Sequence, residues 1–188
     1  ITQFIDNTDE LFKDAVEELK KDGMQALMID VRSDPGGMLT SVVNICDYLL
    51  PEGVIVSIKN KNGETEEEFK STDDEQLDMP MVVLTNAYSA SASEILTSAL
   101  KEFGAATVVG TNTYGKGIVQ SVIPLGDGSA VKLTTQKYFT HDGNDIHKKG
   151  VAPDIEVELP DDYTYEDFQG KNDSQYQKGI EVLKGKLK

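Results

Sequence analysis

The 188-residue sequence contains one cysteine, one arginine and two histidines, and it has no long apolar run. A lone Cys46 excludes an intrachain disulfide, and no cysteine–histidine pair has zinc-ligand spacing, so structural-metal and redox chemistry drop out. A membrane span needs about 20 consecutive apolar residues, and no window approaches that. Basic residues are scarce: 18 lysines and arginines face 33 acids, a net charge of −15. A chain this anionic is repelled by phosphate backbones and anionic lipid surfaces, which argues against nucleic-acid partners. No basic segment followed by an apolar one opens the chain. Its first residues, Ile1 to Ile5, read as a strand, as expected of a piece of a longer protein.

The acidity is concentrated in two places. Residues 59–78 carry eight acids against three lysines, and residues 154–173 carry eight acids against Lys171, together −12 of the −15. Neither stretch has the D-x-[DN]-x-[DN]-G register of a calcium loop. Both read as solvated segments, an internal loop and a tail, on a nearly neutral body.

With 38% apolar residues, that body is one globular domain. Asn7 or Thr8 can cap a helix whose apolar residues, Leu11, Phe12, Ala15, Val16 and Leu19, recur at helical spacing until Gly23. Met24 to Val31 is an apolar run of strand length, which suits a sheet covered on both faces. A turn at Ser33 to Gly37 leads into a helix with Met38, Val42, Ile45, Cys46 and Leu49 on one face. Strand Val54 to Ile58 and the acidic loop follow. Strand Met81 to Thr85, helix Ser91 to Phe103 and strand Ala106 to Gly110 make a second strand–helix–strand unit, an α/β pattern. Ile118 to Leu125 and Ala130 to Phe139, joined by Gly126-Asp127-Gly128, read as a β-hairpin. A terminal helix is expected over Asp173 to Lys188, interrupted at Gly179 and Gly185.

Three segments carry chemistry-bearing residues. In Ser89-Ala90-Ser91-Ala92-Ser93-Glu94, small residues and three serines stand between a buried strand and a helix start, where free backbone N–H groups and the helix dipole favour a nucleophile and an oxyanion. Taken alone, the same residues serve equally as a helix cap. A base is needed. His141 and His147 lie in a polar, glycine-containing turn region that reads as exposed, which leaves little basis for a Ser-His-Asp arrangement. Lys116 stands between two glycines and apolar strands, and desolvation of a lysine favours the neutral form that a general base requires. The third segment, Asp30-Val31-Arg32-Ser33-Asp34-Pro35-Gly36-Gly37, ends a strand in consecutive glycines whose N–H groups can approach a developing oxyanion. Arg32 reads as one half of a structural ion pair, with Asp30, Asp34 or Glu94 as partner, and Glu94 as a first-turn helix stabiliser. Tyr114 walls the site or fills a strand face.

These boxes, with Asp127 to Thr135 and Gly150 to Val157 in the same order, resemble the carboxy-terminal processing peptidases, or tail-specific proteases. The resemblance runs from Ile1 to about Pro160. It implies a crotonase-like or Clp-protease-like α/β core of stacked βαβ units over residues 1–160, with an acidic tail and terminal helix over 161–188. It also implies a cofactor-free serine endopeptidase in which Ser91 is the nucleophile, Lys116 the general base and Gln120 the residue that orients the lysine. The oxyanion donors would be the N–H groups of Ala92 and of Gly37 or Gly36. Peptide substrates with unstructured C-termini, a PDZ domain in the full-length chain, homo-oligomerisation and an extracytoplasmic, cell-envelope location in bacteria are implied in the same way. The turn reads Ser-Asp-Pro-Gly-Gly where Asn-Asn-Pro-Gly-Gly is common in the family. Two other readings of the same fold are a catalytically silent binding module and an acyl-CoA enzyme, the latter opposed by the net charge and the lack of an arginine cluster.

Overall fold

The computed structural model describes residues 1–72 and 76–187. Helix α1 (Thr8–Lys21) carries Asp9 and Glu10 in its first turn and Lys20 and Lys21 in its last, matching the helix dipole. Strand β1 (Leu27–Asp30) follows, then α2 (Leu39–Leu49), which buries Val42, Ile45, Cys46 and Leu49 as their spacing predicts. Strands β2 (Gly53–Lys59) and β3 (Thr65–Ser71) precede β4 (Met81–Thr85), α3 (Ala92–Glu102) and β5 (Ala106–Gly110). The chain ends with the hairpin β6 (Ile118–Pro124) and β7 (Ala130–Phe139), a two-residue β8 (Ile155–Glu156), a 3-10 turn at Tyr165–Asp167 and α4 (Ser174–Lys186).

Two four-stranded sheets result, one parallel in the order β1-β4-β5-β8 and one antiparallel in the order β3-β2-β7-β6. The parallel sheet is covered on both faces, and β4 shows how. Met81 and Val83 join the main core with Ile45, Leu49, Leu96 and Leu100 of α2 and α3. The alternate Val82 and Leu84 join Leu183 of α4 on the other side. Fully burying each of these side chains contributes about 1.5–3 kcal/mol. The α/β core and the hairpin read from the sequence are both present.

Some expectations need correction. Residues 1–5 form no strand; Phe4 alone makes a bridge, to Gly37. The acidic loop is in part a strand: β3 pairs antiparallel with β2, its glutamates facing solvent and Phe69 packing inward. Asp73, Asp74 and Glu75, in the same stretch, lie outside the described residues, as does Lys188. Strand β2 leaves the parallel sheet, so the crossover from β1 returns at β4 instead. Helix α4 runs unbroken through Gly179 and Gly185. At Gly179 the helix lies so close to the sheet that a Cβ would stand 2.7 Å from Met28 Cε. The second acidic stretch is only partly a solvated tail: Asp173 is fully buried, and Asp154 pairs with Lys101 at 3.0 Å.

Candidate active site

The chain leaves β4 at Thr85 and enters α3 at Ala92 through a tight turn. Ser91, the last residue before the helix, sits at φ 58° and ψ −113°, a conformation that costs a non-glycine residue on the order of 1–3 kcal/mol and recurs where a nucleophile is presented on a sharp strand-to-helix turn. The three serines are thereby told apart. Ser89 and Ser93 are fully buried, and their hydroxyls donate to the Val31 carbonyl at 2.8 Å and the Asp34 carbonyl at 3.0 Å. Ser91 is half-buried and forms a capping box with Glu94, and its hydroxyl donates to no group among the described residues.

The glycine turn lies directly against this residue. A Cβ on Gly36 would stand 2.8 Å from Ser91 Cβ and 2.7 Å from the Ala92 nitrogen, and φ at Gly36 is +91°, so only glycine fits. The N-terminal segment fixes the far side of the turn. Phe4 N–H donates to the Gly36 carbonyl at 3.1 Å, and the Phe4 carbonyl accepts the Met38 N–H at 2.9 Å. The Gly36 N–H is held by Asp34 Oδ1 at 2.8 Å. The N–H groups of Gly37 and Ala92 have no acceptor among the described residues, which leaves both as free donors beside Ser91.

Glu94 joins this half of the site to Lys116. Its side chain is fully buried and accepts four hydrogen bonds. Oε2 takes the Ser91 N–H at 2.9 Å and the Lys116 N–H at 2.8 Å, while Oε1 takes the Thr113 hydroxyl at 2.6 Å and the Gly115 N–H at 2.7 Å. The backbones of residues 25 positions apart are thus held on one oxygen atom. Tyr114 N–H adds a bond to the Ser89 carbonyl at 3.0 Å, and its ring, outside any strand and exposed, does not fill a strand face. From the sequence, Glu94 reads as a helix stabiliser or an Arg32 partner rather than as this link. Its signal was its position three residues after Ser91, where a capping-box carboxylate reaches back to the cap N–H.

Other candidates fall differently. No hydrogen bond joins the Ser91 hydroxyl to the Lys116 amine, and Gln120, exposed on β6, makes none to Lys116. Neither histidine is fully exposed. His141 donates its Nδ1–H to the Val54 carbonyl at 2.8 Å and packs on Phe103 at 4.1 Å between ring centroids. Phe103 caps the end of α3 opposite Ser91, a helix length of about 16 Å away. His147 lies beside Gly117, but its Nδ1 is buried without a partner, whereas a triad histidine is oriented there by a carboxylate. Arg32 is a structural ion-pair residue, bonded to Asp30 at 2.7 Å and Asp173 at 2.9 Å, and its partners are not Asp34 or Glu94. It lines a cavity of about 610 Å³ with Ser33, Asn86, Tyr163 and Phe168 beside the glycine turn.

The profile of peptidase family S41 matches residues 1–157. The chain belongs to that family. It is 38% identical over 185 residues to a carboxyl-terminal-processing protease of Synechocystis, covering 98% of this chain and 43% of that protein. Identity is 44% over 162 residues to the carboxy-terminal processing protease CtpB of Bacillus subtilis, covering 86% of this chain and 34% of that one. The chain therefore spans less than half the length of these relatives. Among solved structures, a photosystem II D1 C-terminal processing protease superposes with a TM-score of 0.83 at 33% identity, over 97% of this chain and 47% of that one. The tricorn protease shares the fold at a TM-score of 0.57 and 23% identity, over 87% of this chain and 15% of its own.

Proposed function

We propose that this chain is the catalytic core of a serine endopeptidase that cleaves proteins near their C-terminal tails with a Ser91–Lys116 dyad. The observation that carries the reading is the Glu94 carboxylate, which holds the Ser91 and Lys116 backbones on one oxygen next to two free N–H donors. Lys116, in its neutral form, takes the Ser91 hydroxyl proton as Oγ attacks the scissile carbonyl. The carbonyl oxygen gains negative charge and is stabilised by the N–H groups of Gly37 and Ala92; Gly37 is preferred to Gly36 in this reading because the Gly36 N–H already donates to Asp34. Collapse of the tetrahedral intermediate breaks the C–N bond, and Lys116 returns the proton to the leaving amine. Water, deprotonated by Lys116, then hydrolyses the ester and restores Ser91. Gln120 orients the lysine amine once substrate closes the site, consistent with catalytic hydrogen bonds that tighten only in the substrate complex. No cofactor enters these steps.

The substrates are unstructured protein tails, delivered in the whole protein by a PDZ domain, with homo-oligomerisation and an extracytoplasmic location as further parts of the proposal. The test is cleavage of casein or a tail peptide by the intact protein. Ser91→Ala and Lys116→Ala are each expected to abolish it, and undiminished cleavage by either variant overturns the dyad.

A further inference from the structure

Asp34 is the anomaly of this site. Its side chain is fully buried. Oδ1 accepts the Gly36 N–H at 2.8 Å, while Oδ2 is enclosed with no hydrogen-bond partner. Buried polar atoms are almost always paired, and an unpaired charge in such a place is strongly disfavoured. No cation bonds to it. Arg32, two residues away, is held by Asp30 and Asp173; Glu94 of α3 is occupied by its four donors. Lys116 meets that same carboxylate through its backbone. Burial pushes the Asp34 carboxyl above its usual value, against a smaller opposing effect of the Gly36 N–H.

We propose that Asp34 is a positioning residue for the oxyanion turn that works in its neutral, protonated form, so that its ionisation sets an alkaline limit on turnover. The argument is electrostatic and geometric. Oδ1 fixes Gly36 and thereby aims the adjacent Gly37 N–H at the position beside Ser91. A negative charge on the same side chain, buried three residues before Gly37, opposes the negative charge that the oxyanion must acquire. The neutral acid keeps the anchor without the opposing charge. Asparagine, isosteric with the neutral acid, does so at every pH.

This inference rests on the proposed Ser91 chemistry, and its experiment separates the two. Measure kcat and KM for peptide cleavage by the intact protein from pH 4.5 to 9 for wild type, Asp34→Asn, Asp34→Ala and Ser91→Ala. Asp34→Asn is expected to match wild type at the acid end and to exceed it increasingly as pH rises, approaching about tenfold per pH unit beyond the titration, with the change in kcat rather than KM. Asp34→Ala starts lower at the acid end, because Gly36 loses its acceptor. Thermal melting gives a readout independent of activity. A carboxyl held above its unfolded value loses stability as pH rises from about 4 to the folded value, so the melting temperature of Asp34→Asn should draw ahead of wild type across that window. An asparagine-to-wild-type kcat ratio that stays flat with pH, while cleavage still requires Ser91, overturns the role of Asp34 alone. Cleavage that persists in Ser91→Ala overturns the underlying reading.

Discussion

Replacing Glu94 with glutamine keeps the shape of the side chain and removes one acceptor, and the four bonds decide the outcome. If the amide nitrogen took the place of Oε2, it would face the Ser91 and Lys116 N–H groups, neither of which can accept. In the place of Oε1 it faces the Gly115 N–H and the Thr113 hydroxyl, and the hydroxyl can turn to accept. The second orientation is favoured and leaves two buried N–H groups unpaired, that of Gly115 and the second one of the amide. Each such group costs about 1–3 kcal/mol, and a chain of this size loses about 2–4 °C of melting temperature per kcal/mol. Alanine leaves three backbone N–H groups without an acceptor, about 3–9 kcal/mol, comparable with the whole stability of a typical domain. Calorimetry should therefore order the melting temperatures wild type, Glu94→Gln, Glu94→Ala. Below its melting point Glu94→Gln should still cleave peptide, because the remaining oxygen still holds Ser91 and Lys116. A glutamine variant that melts like wild type yet has lost all cleavage would refute the positioning argument and give Glu94 a part in the chemistry.

Two further predictions concern the framework. Within α4, Gly185 faces open space while Gly179 meets Met28 and Leu84; Gly185→Ala should stabilise by up to about 1 kcal/mol and Gly179→Ala should destabilise, both read from denaturant midpoints. Arg32→Ala leaves Asp173 buried and unpaired, an expected loss of about 3–5 kcal/mol in urea unfolding. Burial alone would raise the Asp173 carboxyl, but Arg32 and the N–H groups of Tyr176 and Gln169 hold it below its usual value. Its stabilisation is therefore present above about pH 4 and lost as pH falls through the folded value, and the acid limb of unfolding should move to higher pH in Arg32→Ala.

The elements most legible in the sequence are those in which apolar spacing and tertiary burial agree: β4, α3, β5 and the hairpin. Strand β3 was not legible because Thr65-Glu66-Glu67-Glu68-Phe69-Lys70-Ser71 has one apolar residue, and its strand form comes from pairing with β2 rather than from its own pattern. The glycines of α4 read as breaks because propensity carries no information about the sheet that one of them must approach. At the site, the residue types and their order were readable, but three structural features were not. The φ of Ser91, the pinning of the glycine turn by Phe4 and the four bonds of Glu94 arise from contacts between segments distant in sequence. The bond from the Gly36 N–H to Asp34, on which the proposal prefers Gly37 to Gly36, was likewise not readable, because it depends on where the Asp34 side chain points.

The central claim is a covalent one, that Ser91 Oγ becomes acylated with help from Lys116, and mass spectrometry of the intact protein after reaction with an activated peptide ester tests it most directly. The account predicts a single acyl adduct on the peptide containing Ser91, absent in Ser91→Ala and greatly slowed in Lys116→Ala. An adduct on another residue, or one that forms at the wild-type rate in the Lys116→Ala variant, would contradict it.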